Sequence, residues 1–120
     1  MIDDFVYQVA PARVVFGRGT LSQVSTESER LGITRALVLA TPGQRARAEQ
    51  VAGLLGSRAA GIFAGAVMHT PVLVTENALR NVHALHADGI VAIGGGSTIG
   101  LGKALALRTD LPQLVIPTTY

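Results

Sequence analysis

Apolar residues along this chain change their period several times, and each change predicts an element. Two short β-like runs come first, residues 5–9 and 13–16, with Pro11 between them and Gly17 and Gly19 after them. They predict a hairpin or two linked edge strands. Leu21, Val24, Ser28 and Leu31 then recur at helical spacing and stop at Gly32, a predicted C-cap. Residues 36–40 (ALVLA) form a continuous apolar run, as in a strand buried on both faces. Thr41, Pro42 and Gly43 turn the chain, and Ala48, Val51, Ala52 and Leu55 line a helix closed by Gly56. Residues 59–65 (AAGIFAG) predict a third buried strand. Val74, Ala78, Val82 and Leu85 make another helical stripe ending near Gly89. GIVAIGGG reads as a strand, Thr98, Leu101 and Leu105 as a helix to about Arg108, and LPQLVIPTTY as a last strand.

After the opening pair, strands and helices alternate strictly with short connections. That order predicts an α/β fold: a Rossmann-like, doubly wound parallel sheet with right-handed crossovers, preceded by a β-hairpin. No repeat or linker divides residues 1–120, which read as one domain. The last strand leads to Tyr120 with no helix to cover it. In such folds the C-terminal ends of the strands face the ligand crevice. The expectation is an incomplete domain, part of a longer two-domain protein.

Gly94, Gly95 and Gly96 stand where the fourth predicted strand gives way to a helix. Each glycine there has a large entropic cost on folding. A strand, a glycine loop and a helix start aim backbone N–H groups and the positive end of a helix dipole at the crevice. Without side chains the loop lets a phosphate approach closely, and Ser97 or Thr98 offers a hydroxyl or a cap. The competing explanation is a tight turn with close helix–strand packing. Gly100 and Gly102, in the first turns of that helix, each cost about 1 kcal/mol relative to Ala, which points to close packing on a ligand or a strand. The loop has neither Walker A spacing nor the G-x-G-x-x-G pattern.

Composition narrows the field. Hydrophobic residues make up 48% of the 120 and aromatics only 4%, so the core is aliphatic. There is no cysteine, which excludes disulfides and thiolate metal sites in this chain and suits a cytoplasmic setting. The net charge of +2 comes from scattered arginines and the single Lys103, not from a basic tract, which speaks against nucleic-acid binding. No stretch approaches the ~20 apolar residues of a membrane span, and the acidic N-terminus is not a signal peptide.

GGGSTIGLGK resembles the GGGSxxDxAK signature of the iron-containing alcohol dehydrogenase superfamily, and IPTTY resembles the start of its PTTxxGSE segment. Residues 94–120, with FVYQVAPARVVFGRGTL and VMHTPVLVTENAL, are similar to its maleylacetate reductase branch. The resemblance implies the N-terminal nucleotide-binding part of a two-domain enzyme whose C-terminal helical domain is absent here. It implies NADH or NADPH as cofactor, a small dicarboxylate substrate and reduction of maleylacetate to 3-oxoadipate in aromatic-compound degradation. It further implies a homodimer for the full-length enzyme. By the same resemblance, Gly94, Gly95, Gly96 and Ser97 hold the cofactor's pyrophosphate, with Thr98 beside them. Thr118 and Thr119 line the same crevice, and Thr41 and Pro42 contact the adenosine end. Gly100 stands where many relatives have Asp, and Gly102 where they have Ala. Thr41 replaces a ribose-binding Asp of some relatives, and Arg45 or Arg47 would attract a 2′-phosphate, so both nucleotides stay open. Another alcohol or glycerol-type dehydrogenase, or a non-catalytic nucleotide-binding module, are the alternatives.

Other residues carry weaker signals. His83 and His86, three apart on a predicted helix, suggest a metal pair, but no third ligand is evident and a solvated face explains them better. His69 reads as a turn histidine. Lys103 faces a phosphate, pairs with a carboxylate or is solvated, and Arg18 offers an anion or substrate contact in a glycine turn. No Ser-His-Asp set or carboxylate pair falls in one place, so no catalytic residue is assigned and no metal is expected within the chain.

Overall fold

The computed structural model describes residues 12–14, 23–67 and 72–117. The elements run β1 (Ala12–Val14), α1 (Val24–Arg30), β2 (Ala36–Leu39), α2 (Arg45–Leu55), β3 (Ala59–Phe63), α3 (Val72–Ala84), β4 (Gly89–Gly94), α4 (Gly96–Thr109) and β5 (Gln113–Pro117). Single 3₁₀ turns, Pro42–Gln44 and Gly56–Arg58, precede and follow α2. The five strands lie in the order β1-β5-β4-β2-β3, and every neighbouring pair is parallel. This is the expected doubly wound α/β sheet.

Alternation within the buried strands divides the core in two. On one face Val38, Val91, Ile93 and Leu114 pack with Val24 of α1 and Val51 of α2. On the other, Leu37, Leu39, Ile90 and Ala92 pack with Ala78 and Val82 of α3 and Leu101 and Leu105 of α4. Residues of β2, β4 and β5 are buried throughout, as parallel strands covered on both faces require.

Two expectations need correction, and a third is met in part. The run at 59–65 is not a buried central strand: β3 is the edge of the sheet, and all five of its residues are only partly buried. The run at 13–16 supplies β1, an edge strand as expected, which pairs in parallel with β5. Its expected hairpin partner, residues 5–9, lies outside the described residues. The third helical stripe does not end near Gly89. It ends at Ala84, where His86 takes a left-handed conformation (φ 52°) and the N–H of Ala87 bonds to the Val82 carbonyl at 2.9 Å. That is a Schellman cap with histidine in the usual glycine position. Gly89 instead begins β4, where an added Cβ would lie 2.7 Å from Cδ1 and Cγ2 of the fully buried Ile33. The glycine permits close packing.

The sheet's opposite edge, where β2 and β4 begin, is fastened by Asp88. Its carboxylate accepts hydrogen bonds from the N–H of Thr34 (2.9 Å), the N–H of Arg35 (2.7 Å) and the Thr34 hydroxyl. Burial pushes this carboxyl upward, but the Thr34 hydroxyl and the neighbouring amides together hold it below the ordinary carboxylate range. A depressed folded-state pKa means stability that is present above the unfolded value of about 4 and is lost as pH falls through the folded value. Asp88→Asn is expected to cost about 1–2 kcal/mol at neutral pH. Urea midpoints of wild type and variant should converge at acidic pH; a gap that stays constant with pH would remove the charge from this account.

Candidate functional site

β2 leads into α2 on one face of the sheet, and β4 leads into α4 on the other. The two strands are adjacent, so their C-terminal ends form the topological switch point at which open α/β sheets bind ligands. The last register pair between them is Leu39 with Ala92, and Thr41 and Gly94 each stand two residues past it. The residues expected to bind cofactor therefore come from both sides of one crevice. β5, next to β4, delivers Thr118 and Thr119 in sequence after Pro117, but both lie outside the described residues.

The glycine loop is not uniform. Gly94 has φ +138°, a conformation that L side chains rarely adopt, and a Cβ there would sit 2.9 Å from Thr98 Oγ1. Gly95 is the N-cap of α4 in an extended conformation (φ −100°, ψ −152°), and no side chain caps the helix. The expected capping by Ser97 or Thr98 is therefore absent; those residues lie inside the first turn. Helix geometry leaves first-turn amides without intrahelical partners. Gly96 is exposed and Ser97 half-buried, so the N–H groups at this end face an accessible surface. Thr98 is fully buried, and its hydroxyl has no hydrogen-bond partner. An orphaned buried hydroxyl packed against a glycine backbone, beside first-turn amides free of intrahelical partners, suits a phosphate cradle. The residues fit a dinucleotide's diphosphate.

On the β2 side, Thr41 is half-buried, extended, and N-caps the 3₁₀ turn without a side-chain hydrogen bond, while Pro42 is exposed at the first turn position. Arg45 and Arg47 are exposed at the start of α2. Arg45 lies 3.7 Å from Glu49 in an exposed ion pair, worth little by itself.

The remaining candidates fall elsewhere. Gly102 is buried against the sheet, where a Cβ would meet Gln113 Oε1 at 2.9 Å and Ala92 at 3.5 Å, so it serves helix–strand packing. Lys103 is exposed about 10 Å of helix rise along α4 from the loop. His83 is in the last turn of α3, and His86 lies beyond the helix end, so the two do not share a helical face. With Arg108 and Thr109 they line a groove of about 430 Å³ where α3 and α4 end, at the sheet edge opposite the crevice. His69 and Arg18 lie outside the described residues. Among the described residues no helix is long and apolar enough to cross a membrane.

Comparison with known proteins adds to this geometry. The family model for iron-containing alcohol dehydrogenase matches residues 11–120. A maleylacetate reductase of Rhizobium sp. (strain MTP-10005) is 60% identical over 116 residues, which are 97% of this chain and 33% of the relative. The crystal structure of maleylacetate reductase from Agrobacterium tumefaciens is 58% identical and aligns with a TM-score of 0.86 over 97% of this chain and 33% of that one. A sulfoacetaldehyde reductase from Bifidobacterium kashiwanohense, solved with NAD+, is 19% identical and shares the fold (TM-score 0.79, 96% of this chain, 36% of that one). The chain thus spans about a third of the length of the curated relatives it matches. Matched along nearly its whole length by the family model, the chain belongs to the iron-containing alcohol dehydrogenase family.

Proposed function

We propose that this chain is the N-terminal dinucleotide-binding part of an NAD(P)H-dependent reductase that converts maleylacetate to 3-oxoadipate. The observation that carries the reading is the meeting of the Thr41–Pro42 turn and the uncapped Gly94–Ser97 loop at one switch point. The high identity to maleylacetate reductases supports the substrate. When bound, the nicotinamide supplies a hydride to the carbon–carbon double bond, and a proton completes the reduction. The described residues bind and orient. First-turn amides of α4 and its dipole neutralise the diphosphate, Gly94 and Gly95 let it approach the backbone, and the β2 turn receives the adenosine end. Thr118 and Thr119 complete the crevice in this reading, and the rest of the enzyme closes it. Val72 and Leu73, at the start of α3 on the crevice edge of the sheet, are 62% and 65% exposed, which suits a surface that a second domain covers. The full-length enzyme is expected to be a cytoplasmic homodimer.

The family's name implies iron. Among the described residues no three His, Cys, Asp or Glu side chains group to hold a metal ion, and no step of this reading uses one.

The test is turnover by the full-length polypeptide. Absorbance should show rapid NADH oxidation with maleylacetate, and little NAD+ reduction with glycerol or simple alcohols. The reverse pattern would replace the proposed reaction with an alcohol dehydrogenase's.

A further inference from the structure

Thr98 is the one residue of the glycine loop whose side chain points away from solvent altogether. Its relative exposure is 0%, and its Oγ1 finds no partner. Native structures rarely leave a buried hydroxyl unsatisfied, because its desolvation is uncompensated. Ser28 Oγ and Gln113 Oε1 are orphaned too, but they sit in α1 and at the start of β5, away from the crevice. Thr98 alone is at the crevice. Among the described residues, the place a Cβ would take at Gly94 is bordered only by Thr98, through Oγ1 at 2.9 Å and Cβ at 3.4 Å. The hydroxyl thus lies against the Gly94 backbone, at a residue with no side chain and a φ of +138°. A small rotation of the Gly94–Gly95 peptide is sterically open at such a position.

We propose that Thr98 is a positioning residue whose buried hydroxyl acquires its hydrogen bond only when a nucleotide diphosphate settles on the Gly95–Ser97 amides. The bond forms to the phosphate itself or to the loop peptide that the phosphate reorients. This rests on the dinucleotide reading above. Its consequence is a division of labour: the γ-methyl packs in both states, whereas the hydroxyl contributes to the bound state alone. A group satisfied in one state and not in the other shifts affinity without stabilising the free protein.

Calorimetric titration of the full-length protein with NADH and with ADP, beside ligand-free thermal unfolding, tests this. Thr98→Val keeps the shape and removes the hydroxyl. It should weaken both nucleotides about tenfold, as for a lost hydrogen bond to a charged group. The ligand-free Tm should be unchanged or higher. Thr98→Ser keeps the hydroxyl and should bind within about twofold of wild type. Unchanged affinity in Thr98→Val overturns the proposal, as does equal weakening in both variants. So does a lower ligand-free Tm or failure to fold in Thr98→Val, since the hydroxyl would then already be partnered in the free protein. Wild type that binds neither nucleotide would instead overturn the dinucleotide reading itself.

Discussion

Gly95→Val in the full-length protein should weaken NADH binding at least about tenfold, or about 1.4 kcal/mol, with the fold intact. The backbone of Gly95 is extended with a negative φ (−100°), so the substitution does not force a side chain into the left-handed region. What changes is access: a branched side chain now stands before the first-turn amides of α4, where the diphosphate must approach. Gly94 would make a poorer test. Its φ of +138° and the Thr98 hydroxyl 2.9 Å from an added Cβ would strain the loop whether or not a ligand binds there. Calorimetry with a circular-dichroism control decides the matter; wild-type affinity in Gly95→Val would leave the loop as a structural turn.

The second large effect is on cofactor choice. Thr41→Asp should raise the NADH/NADPH ratio of kcat/KM ten- to a hundredfold, roughly 1.4–2.8 kcal/mol. Thr41 is half-buried at the β2 side of the crevice, with no side-chain hydrogen bond to give up. An aspartate there accepts from the ribose hydroxyls of NADH and repels the 2′-phosphate of NADPH. Unit charges about 4 Å apart at an effective dielectric of 20 interact by about 4 kcal/mol, a ceiling that solvent lowers. Aspartate is also a favoured N-cap, so stability should not fall. An unchanged ratio would mean that Thr41 does not face the ribose.

The order of elements was legible because apolar period reports burial directly: ALVLA became β2, and the stripe of Ala48, Val51 and Leu55 became the buried face of α2. What period cannot report is which strand lies at an edge. AAGIF is as apolar as a central strand, and only the crossover from β3 past β2 to β4 leaves it outside. Nor does local sequence show why a glycine is present. Gly89 looked like a helix stop, yet it makes room for Ile33, more than fifty positions away in the chain. The stop itself fell on His86, which the Schellman cap places in the left-handed region.

The site was legible to the same depth. Three glycines before a helix announced close backbone approach, but not that Gly94 carries the positive φ, Gly95 the cap and Gly96 the exposed first turn. Thr98 read as one more available hydroxyl beside Ser97. Its burial follows from helical phase: in the first turn of α4 it falls on the same inward face as Leu101 and Leu105. The meeting of Thr41 with that loop could be anticipated only through the switch-point rule, because no sequence proximity links them.

A crystal structure of the full-length protein with NADH bears most directly on the central claim. The account predicts the diphosphate within hydrogen-bond distance of the amides at Gly95–Ser97, and the adenosine ribose beside Thr41. A diphosphate held elsewhere, with those amides facing only water, would contradict it.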